Sequence, residues 1–230
     1  MKTIGLIGGM SYESTVTYYN VINNTINNTL GKHHSAKILM YSVDFEEIYS
    51  FMQKKDWDNA ANILIDAARR LEKGGADFIL ICTNTLHLVY DKVQQSVSIP
   101  LLHIADALIG KLKKDKVESV LLLGTKTTML QHFYTDKLSY EKIQVLLPSV
   151  EQMDKLDGII FDELCVGNIN EKSKKELLSV MSSAMEKGVK ACVFGCTELG
   201  LLVSKDDTNL PVYDTAIIHA ITAADRAVLQ

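Results

Sequence analysis

Leu71-Glu72-Lys73-Gly74-Gly75-Ala76-Asp77-Phe78-Ile79-Leu80-Ile81-Cys82-Thr83-Asn84-Thr85 runs from a helix end through a double-glycine stop and an apolar run into a polar turn. Glycine just past a helix supplies the left-handed backbone that closes it. A short unbroken apolar run bounded by turn residues reads as a strand buried on both faces, as in a parallel sheet. The pattern returns at Met185-Glu186-Lys187-Gly188-Val189-Lys190-Ala191-Cys192-Val193-Phe194-Gly195-Cys196-Thr197-Glu198. A helix–strand–turn unit that occurs twice implies two similar half-domains, each presenting a polar turn at a strand end.

Two registers relate the copies. Setting Gly74 on Gly188 matches Cys82 with Cys196 but puts Ala76 on Lys190 and Asp77 on Ala191. Setting Gly75 on Gly188 pairs Ala76 with Val189 and Asp77 with Lys190, and matches Thr83 with Cys196. Side chains alternate sides along a strand, so Cys82 and Thr83 cannot both point into one site. The second register keeps like with like and is preferred.

Outward from these turns, short apolar runs alternate with longer amphipathic stretches. The expected strands are Thr3–Ile7, Ala36–Val43, Phe78–Cys82, Leu101–His103, Ser119–Leu123, Gln144–Leu147, Ala191–Gly195 and Val212–Tyr213. Trp57–Lys73 carries Ala60, Ile63, Leu64, Ala67, Ala68 and Leu71 at one-face helical spacing, with Asp56 as N-cap. Ser149 and Gly167 frame another helix, Asn170 and Gly188 a third. The expected fold is α/β: two pseudo-symmetric half-domains, each a mostly parallel sheet flanked by helices. Gly5-Leu6-Ile7-Gly8-Gly9 and Leu121-Leu122-Leu123-Gly124-Thr125 end the first strand of each half. Each polar turn is followed by an apolar-Pro-apolar strand, at Ile99-Pro100-Leu101 and Leu210-Pro211-Val212. The expected division is 1–104 plus 209–230 against 105–208, with the active site in the cleft where strand carboxyl ends meet.

Composition bounds the function. The 230 residues carry a net charge of −4, which gives no electrostatic case for nucleic acid, and no basic block marks a membrane surface. Four cysteines at unpatterned spacing read as reduced thiols. The N-terminal apolar run is too short for a signal peptide and no run reaches membrane-spanning length, so the protein is expected in the cytoplasm. The six histidines show no metal-ligand spacing, and no metal is expected. Gly5–Ser11 lacks the dinucleotide-loop glycine spacing and is not read as such a loop.

Cys196 is the leading chemical candidate: it closes a strand and precedes what reads as a helix start, where dipole and free N–H groups would stabilise a thiolate. A buried structural cysteine is the alternative. Thr83-Asn84-Thr85 offers hydroxyls, an amide and N–H groups suited to a carboxylate, or an ordinary capping cluster. Thr125-Lys126-Thr127-Thr128 and Gly8-Gly9-Met10-Ser11 are further polar turns. Cys82, Cys165 and Cys192 read as core thiols.

In combination and order, Gly8-Gly9-Met10-Ser11, Thr83-Asn84-Thr85 and Gly195-Cys196-Thr197-Glu198 make the whole chain resemble the aspartate/glutamate racemase family of cofactor-independent enzymes. Most members have Cys-Asn-Thr in the middle, with that cysteine and the late one as the acid/base pair; this chain has Thr83 there. With Tyr12-Glu13-Ser14 and Phe161-Asp162-Glu163-Leu164-Cys165, it looks like the bacterial L-aspartate/glutamate-specific subgroup. Many aspartate racemases have a lysine after the acidic pair, where this chain has Leu164-Cys165. The resemblance implies Thr83 and Cys196 as catalytic residues, with the late cysteine on the L-face. It implies Met10, Ser11, Asn84, Thr85 and Thr197 as substrate-binding residues. Glu198 would orient substrate or tune the thiol, and Gln53, Thr125 and Thr128 are weaker candidates for substrate contact. It also implies a small amino-acid substrate and a homodimer. The alternatives are a hydantoin racemase, a maleate isomerase, or an amino-acid-binding relative with little turnover.

Overall fold

The computed structural model describes Met1–Leu229. In chain order the elements are β1 (Thr3–Gly8), α1 (Tyr12–Leu30), β2 (Lys37–Ser42), α2 (Phe45–Gln53), α3 (Trp57–Lys73), β3 (Phe78–Ile81), a 3-10 turn (Thr85–Val89) and α4 (Tyr90–Gln94). Then come β4 (Leu101–Leu102), α5 (Ile104–Lys114), β5 (Ser119–Gly124), α6 (Lys126–Leu130), α7 (His132–Tyr140), β6 (Gln144–Leu146) and α8 (Val150–Gly158). A π-helical turn (Ile159–Glu163) and a 3-10 turn (Leu164–Val166) lead to α9 (Glu171–Glu186), β7 (Ala191–Gly195), α10 (Leu199–Leu202), β8 (Val212–Asp214) and α11 (Thr215–Val228). No described helix is long and apolar enough to cross a membrane.

The chain forms two compact units, Met1–Ile104 with the segment from Ala216 onward, and Ala105–Thr215. Each holds a four-stranded parallel sheet, ordered β2-β1-β3-β4 in the first unit and β6-β5-β7-β8 in the second. The boundary expected at 208/209 lies instead after Thr215, because β8 is hydrogen-bonded to β7 and so belongs to the second unit's sheet.

Strand alternation sorts the first unit's core into two layers. Ile4, Leu6, Phe78, Leu80 and Cys82 pack against Tyr18, Ile22 and Ile26 of α1 and the alanines of α11. Ile7, Ile79 and Ile81 face the other way, onto Ala60, Leu64, Ala67 and Leu71 of α3. At about 25 cal/mol per Å² of apolar surface, burial of this kind dominates the stabilisation of each layer. In the second unit Leu121, Leu123, Cys192, Phe194 and Cys196 share a cluster with Met153, Leu177 and Met181. Helix ends follow the expected residues. Asp56 accepts from Asn59 N–H to start α3, and Ser149 and Gln152 form a reciprocal capping box on α8.

The repeat register is fixed by each unit's own hydrogen bonds. Gly75 and Gly188 take φ of +95° and +86°, while Gly74 is at −73°. Gly75 and Gly188 N–H donate to Glu72 and Met185 O, and Ala76 and Val189 N–H donate to Leu71 and Ala184 O. Ile4 lies beside Phe78 in β1–β3, and Val120 beside Ala191 in β5–β7. Ile79 and Cys192 N–H each donate to the carbonyl of a proline, Pro100 and Pro211. Every one of these pairs sets Gly75 on Gly188. Thr83 is therefore the counterpart of Cys196, and Cys82 that of Gly195.

Candidate active site

Each unit ends its third-used strand in a buried polar turn. In the second unit Cys196, 5% exposed, sits at the end of β7 on the face that carries Cys192 and Phe194. Its Sγ donates to Glu198 Oε2 at 2.9 Å, and Thr197 Oγ1 donates to the same oxygen at 2.6 Å. Glu198 is itself buried. One carboxylate oxygen thus collects the thiol and the hydroxyl.

The expectation that a helix N-terminus stabilises a Cys196 thiolate is not met. The helix that follows, α10, has only four residues. Burial pushes the thiol well above its ordinary value, and the charge and hydrogen bond of Glu198 push it further. Cys165, packed against the same core cluster, adds a small upward push. Leu164 beside it is core.

In the first unit Thr83 is 8% exposed, and Asn84 and Thr85 are buried at the start of the 3-10 turn. Counting from the shared register, Asn84 stands where the second unit has Thr197, and Thr85 where it has Glu198. The first turn therefore has a hydroxyl in place of the carboxylate. Cys82 points into the opposite layer, with its thiol raised by burial.

What organises the first turn is His87. Its Nδ1 lies 2.8 Å from Thr83 O, and its Nε2 accepts the Ile104 N–H at 3.2 Å. An amide N–H can only donate, so Nε2 is bare and the proton is on Nδ1, donated to the Thr83 carbonyl. Burial, then the neighbouring His103 and His219, hold His87 well below the usual imidazole range. His219 donates from Nε2 to Leu102 O, accepts from Tyr18 Oη at Nδ1, and is pushed down to about 3 by burial. Histidine spacing in the sequence speaks only to metal ligation. The available signal was position: His87 follows Thr83 by one helical turn, which brings i and i+4 together.

The remaining expected residues divide by unit. Ser11 caps α1 by accepting from Ser14 N–H. Ser14 Oγ donates to Cys82 O, so the start of α1 lies beside the end of β3. The Met10 side chain is buried in the same core cluster as Ile7 and Ile48. Gly9 at φ +92° could not carry a side chain, since a Cβ would lie 2.3 Å from Val43 O. Thr125 caps α6 from Thr128 N–H and its Oγ1 donates to Thr128 Oγ1 at 3.0 Å. Thr128 packs its methyl over Gly195, next to Cys196. Gln53 ends α2, exposed, and no hydrogen bond joins it to a turn residue among those described.

The chain is similar to known proteins over nearly its whole length. The Asp/Glu/Hydantoin racemase family model matches residues 7–223. A candidate Asp/Glu racemase from Yersinia pestis is 45% identical, with a TM-score of 0.92 and 100% of both chains covered. PH1733, an aspartate racemase homologue from Pyrococcus horikoshii OT3, is 36% identical at a TM-score of 0.86, again over 100% of both chains. The broad specificity amino-acid racemase RacX of Bacillus subtilis is 23% identical over 93% of this chain and 92% of its own. Two parallel-sheet units whose matched strands both end in buried polar turns, and a family match that spans nearly the whole length, place this chain in the Asp/Glu/hydantoin racemase family of isomerases.

Proposed function

We propose that this protein is a cofactor-independent racemase of acidic L-amino acids, in which Cys196 and Thr83 serve opposite faces of the substrate α-carbon. The observation that carries the reading is the shared register of the two turns: Thr83 matches Cys196, and only the Cys196 turn has a carboxylate on its reactive atom.

The chemistry follows from that difference. The Cys196 thiol passes its proton to Glu198, which releases it to solvent, and the thiolate takes the α-proton of an L-amino acid, becoming a thiol again. The resulting carbanion takes a proton on its other face from the Thr83 hydroxyl or from a water that it holds, and solvent restores that proton. Thr83 is a poor base near neutral pH, so removal of the α-proton from a D-amino acid is slow. The two enantiomers are equally stable, so kcat/KM for net inversion must be the same in both directions. The asymmetry therefore shows in α-proton exchange rather than in net inversion.

Asn84, Thr85, Thr197 and the N–H groups of the Met10-Ser11 turn would bind the α-carboxylate and amino group. The acidic preference is supported by relatives that bear the names of aspartate and Asp/Glu racemases. The relative named for broad specificity favours a wider amino-acid range as a second reading. A homodimer and a cytoplasmic location complete the proposal. The test is NMR of α-proton loss in heavy water across a panel of L- and D-amino acids. L-aspartate and L-glutamate should exchange fastest, and Cys196→Ser should abolish it. Exchange that survives Cys196→Ser would overturn the mechanism, and a flat profile across side chains would select the broader range.

A further inference from the structure

We infer that His87 is a positioning residue for the Thr83 side of the reaction: a neutral imidazole that fixes the Thr83 carbonyl, and through it the direction of the Thr83 hydroxyl. The inference rests on the functional reading above and adds a residue to it.

The argument is one of over-determination. The Nδ1–H of His87 donates to Thr83 O at 2.8 Å, while its main-chain N–H donates to Asn84 O at 3.0 Å. Two consecutive carbonyls of the reactive turn are thus held by one residue. The far side of the ring is held in turn, since Nε2 accepts from Ile104 N–H, the first amide of α5, which has no intrahelical acceptor. That donor forbids the other neutral tautomer. The ring is 2% exposed and packs on His103 at 4.8 Å, His219 at 5.9 Å and Tyr90 at 6.1 Å between centroids. These are the titratable groups that face it. A second proton would put a charge among two further buried histidines, with no carboxylate hydrogen-bonded to the ring among the described residues.

The second unit shows that this arrangement is not required by the fold. The position matching His87 is Gly200, and that matching His103 is Asp214, whose Oδ2 lies 2.5 Å from where a Cβ on Gly200 would be. There the turn is organised by Glu198 acting on the side chains of Cys196 and Thr197. In the first unit the reactive group does not ionise, and the fixed donor acts on the main chain instead. Orientation is what a hydroxyl that delivers a proton in one direction most needs.

The experiment follows L-aspartate in heavy water with wild type, His87→Phe and His87→Asn. Deuterium washed into recovered L-aspartate reports the Cys196 side, because Glu198 lets the thiol proton exchange with solvent. D-aspartate formation also needs the Thr83 side. In His87→Phe, which keeps a buried ring, wash-in should stay within about twofold while D-aspartate formation falls about tenfold or more. Asparagine places an N–H donor near the Nδ1 position and should restore most of it. A parallel fall of both rates, or no change in their ratio, would overturn the inference. Wild-type enzyme without exchange at L-aspartate would instead refute the functional reading itself. Should His87→Phe not fold, 15N NMR of the wild-type ring decides. Nδ1 protonated and Nε2 bare from about pH 5.5 to about pH 8.5 is expected, and an imidazolium or the reverse tautomer within that span would overturn the inference.

Discussion

The turns at Thr83 and Cys196 hold matched positions in sheets of matched strand order, yet they are built around opposite chemistries. At Cys196 a buried carboxylate draws in two side chains; at Thr83 a buried neutral imidazole holds the main chain. On the proposed mechanism, one turn would move protons both ways and the other would deliver them in a fixed direction. Three of the matched pairs that differ carry the comparison: Thr83 with Cys196, Thr85 with Glu198, and His87 with Gly200. Each can be exchanged or removed separately.

The largest effect is expected at the ionising turn. Cys196→Ser should slow α-proton loss from L-aspartate by about 10³-fold, with the fold retained by circular dichroism, since a hydroxyl there is as poor a base as Thr83. Glu198→Gln removes the acceptor of the thiol proton and should cost about 10²-fold in the same assay. Its second consequence has the opposite sense. Burial and Glu198 both raise the Cys196 thiol, so the glutamine variant should move the midpoint of iodoacetamide alkylation of Cys196 to lower pH. An unmoved midpoint would remove Glu198 from the account.

Rebuilding the first turn in the image of the second comes next. Thr83→Cys together with Thr85→Glu should raise α-proton loss from D-aspartate by about tenfold or more. No gain would show that the register match does not carry function, and no gain here together with a loss of exchange in Cys82→Ser would point to the neighbouring thiol.

A smaller effect separates the units by pH. His87 and His219 are held below their ordinary value in the folded protein, so the unfolded chain binds more protons below about pH 6.5. Their contribution is complete above that pH and is lost as pH falls toward about 3, where His219 titrates when folded. Each should remove about 1.4 kcal/mol of stability per pH unit in that window. Urea titrations between neutral and acid pH should show this slope, and His219→Phe should reduce it; an unchanged slope would contradict the buried neutral ring. The smallest expected effect tests the repeat itself. Gly75→Ala and Gly188→Ala each force a Cβ into left-handed backbone with open space around it, and should cost about 1–2 kcal/mol alike.

Much of this was legible from residues alone. All eight strands fall within two residues of their expected ends, because strands buried on both faces show as apolar runs between glycine and polar stops. The Gly75–Gly188 register was readable from the alternation of polar and apolar positions. Three things were not. Whether residues 209–215 pair with β7 or with the first sheet depends on long-range hydrogen bonding that leaves no local pattern. The thiol of Cys196 looked helix-stabilised, but its direction is set by burial and by the Glu198 rotamer, neither of which spacing encodes. His87 sat in plain view four residues after Thr83, but its tautomer is set by a donor further along the chain, and only the folded chain brings Ile104 N–H to its ring.

The account turns on one-sided base strength, and initial rates of α-proton loss from L- and D-aspartate in heavy water, measured by NMR on the wild-type enzyme at equal concentrations, test it most directly. The L-enantiomer should exchange about tenfold faster or more, set by Cys196. Equal rates for the two enantiomers would contradict it.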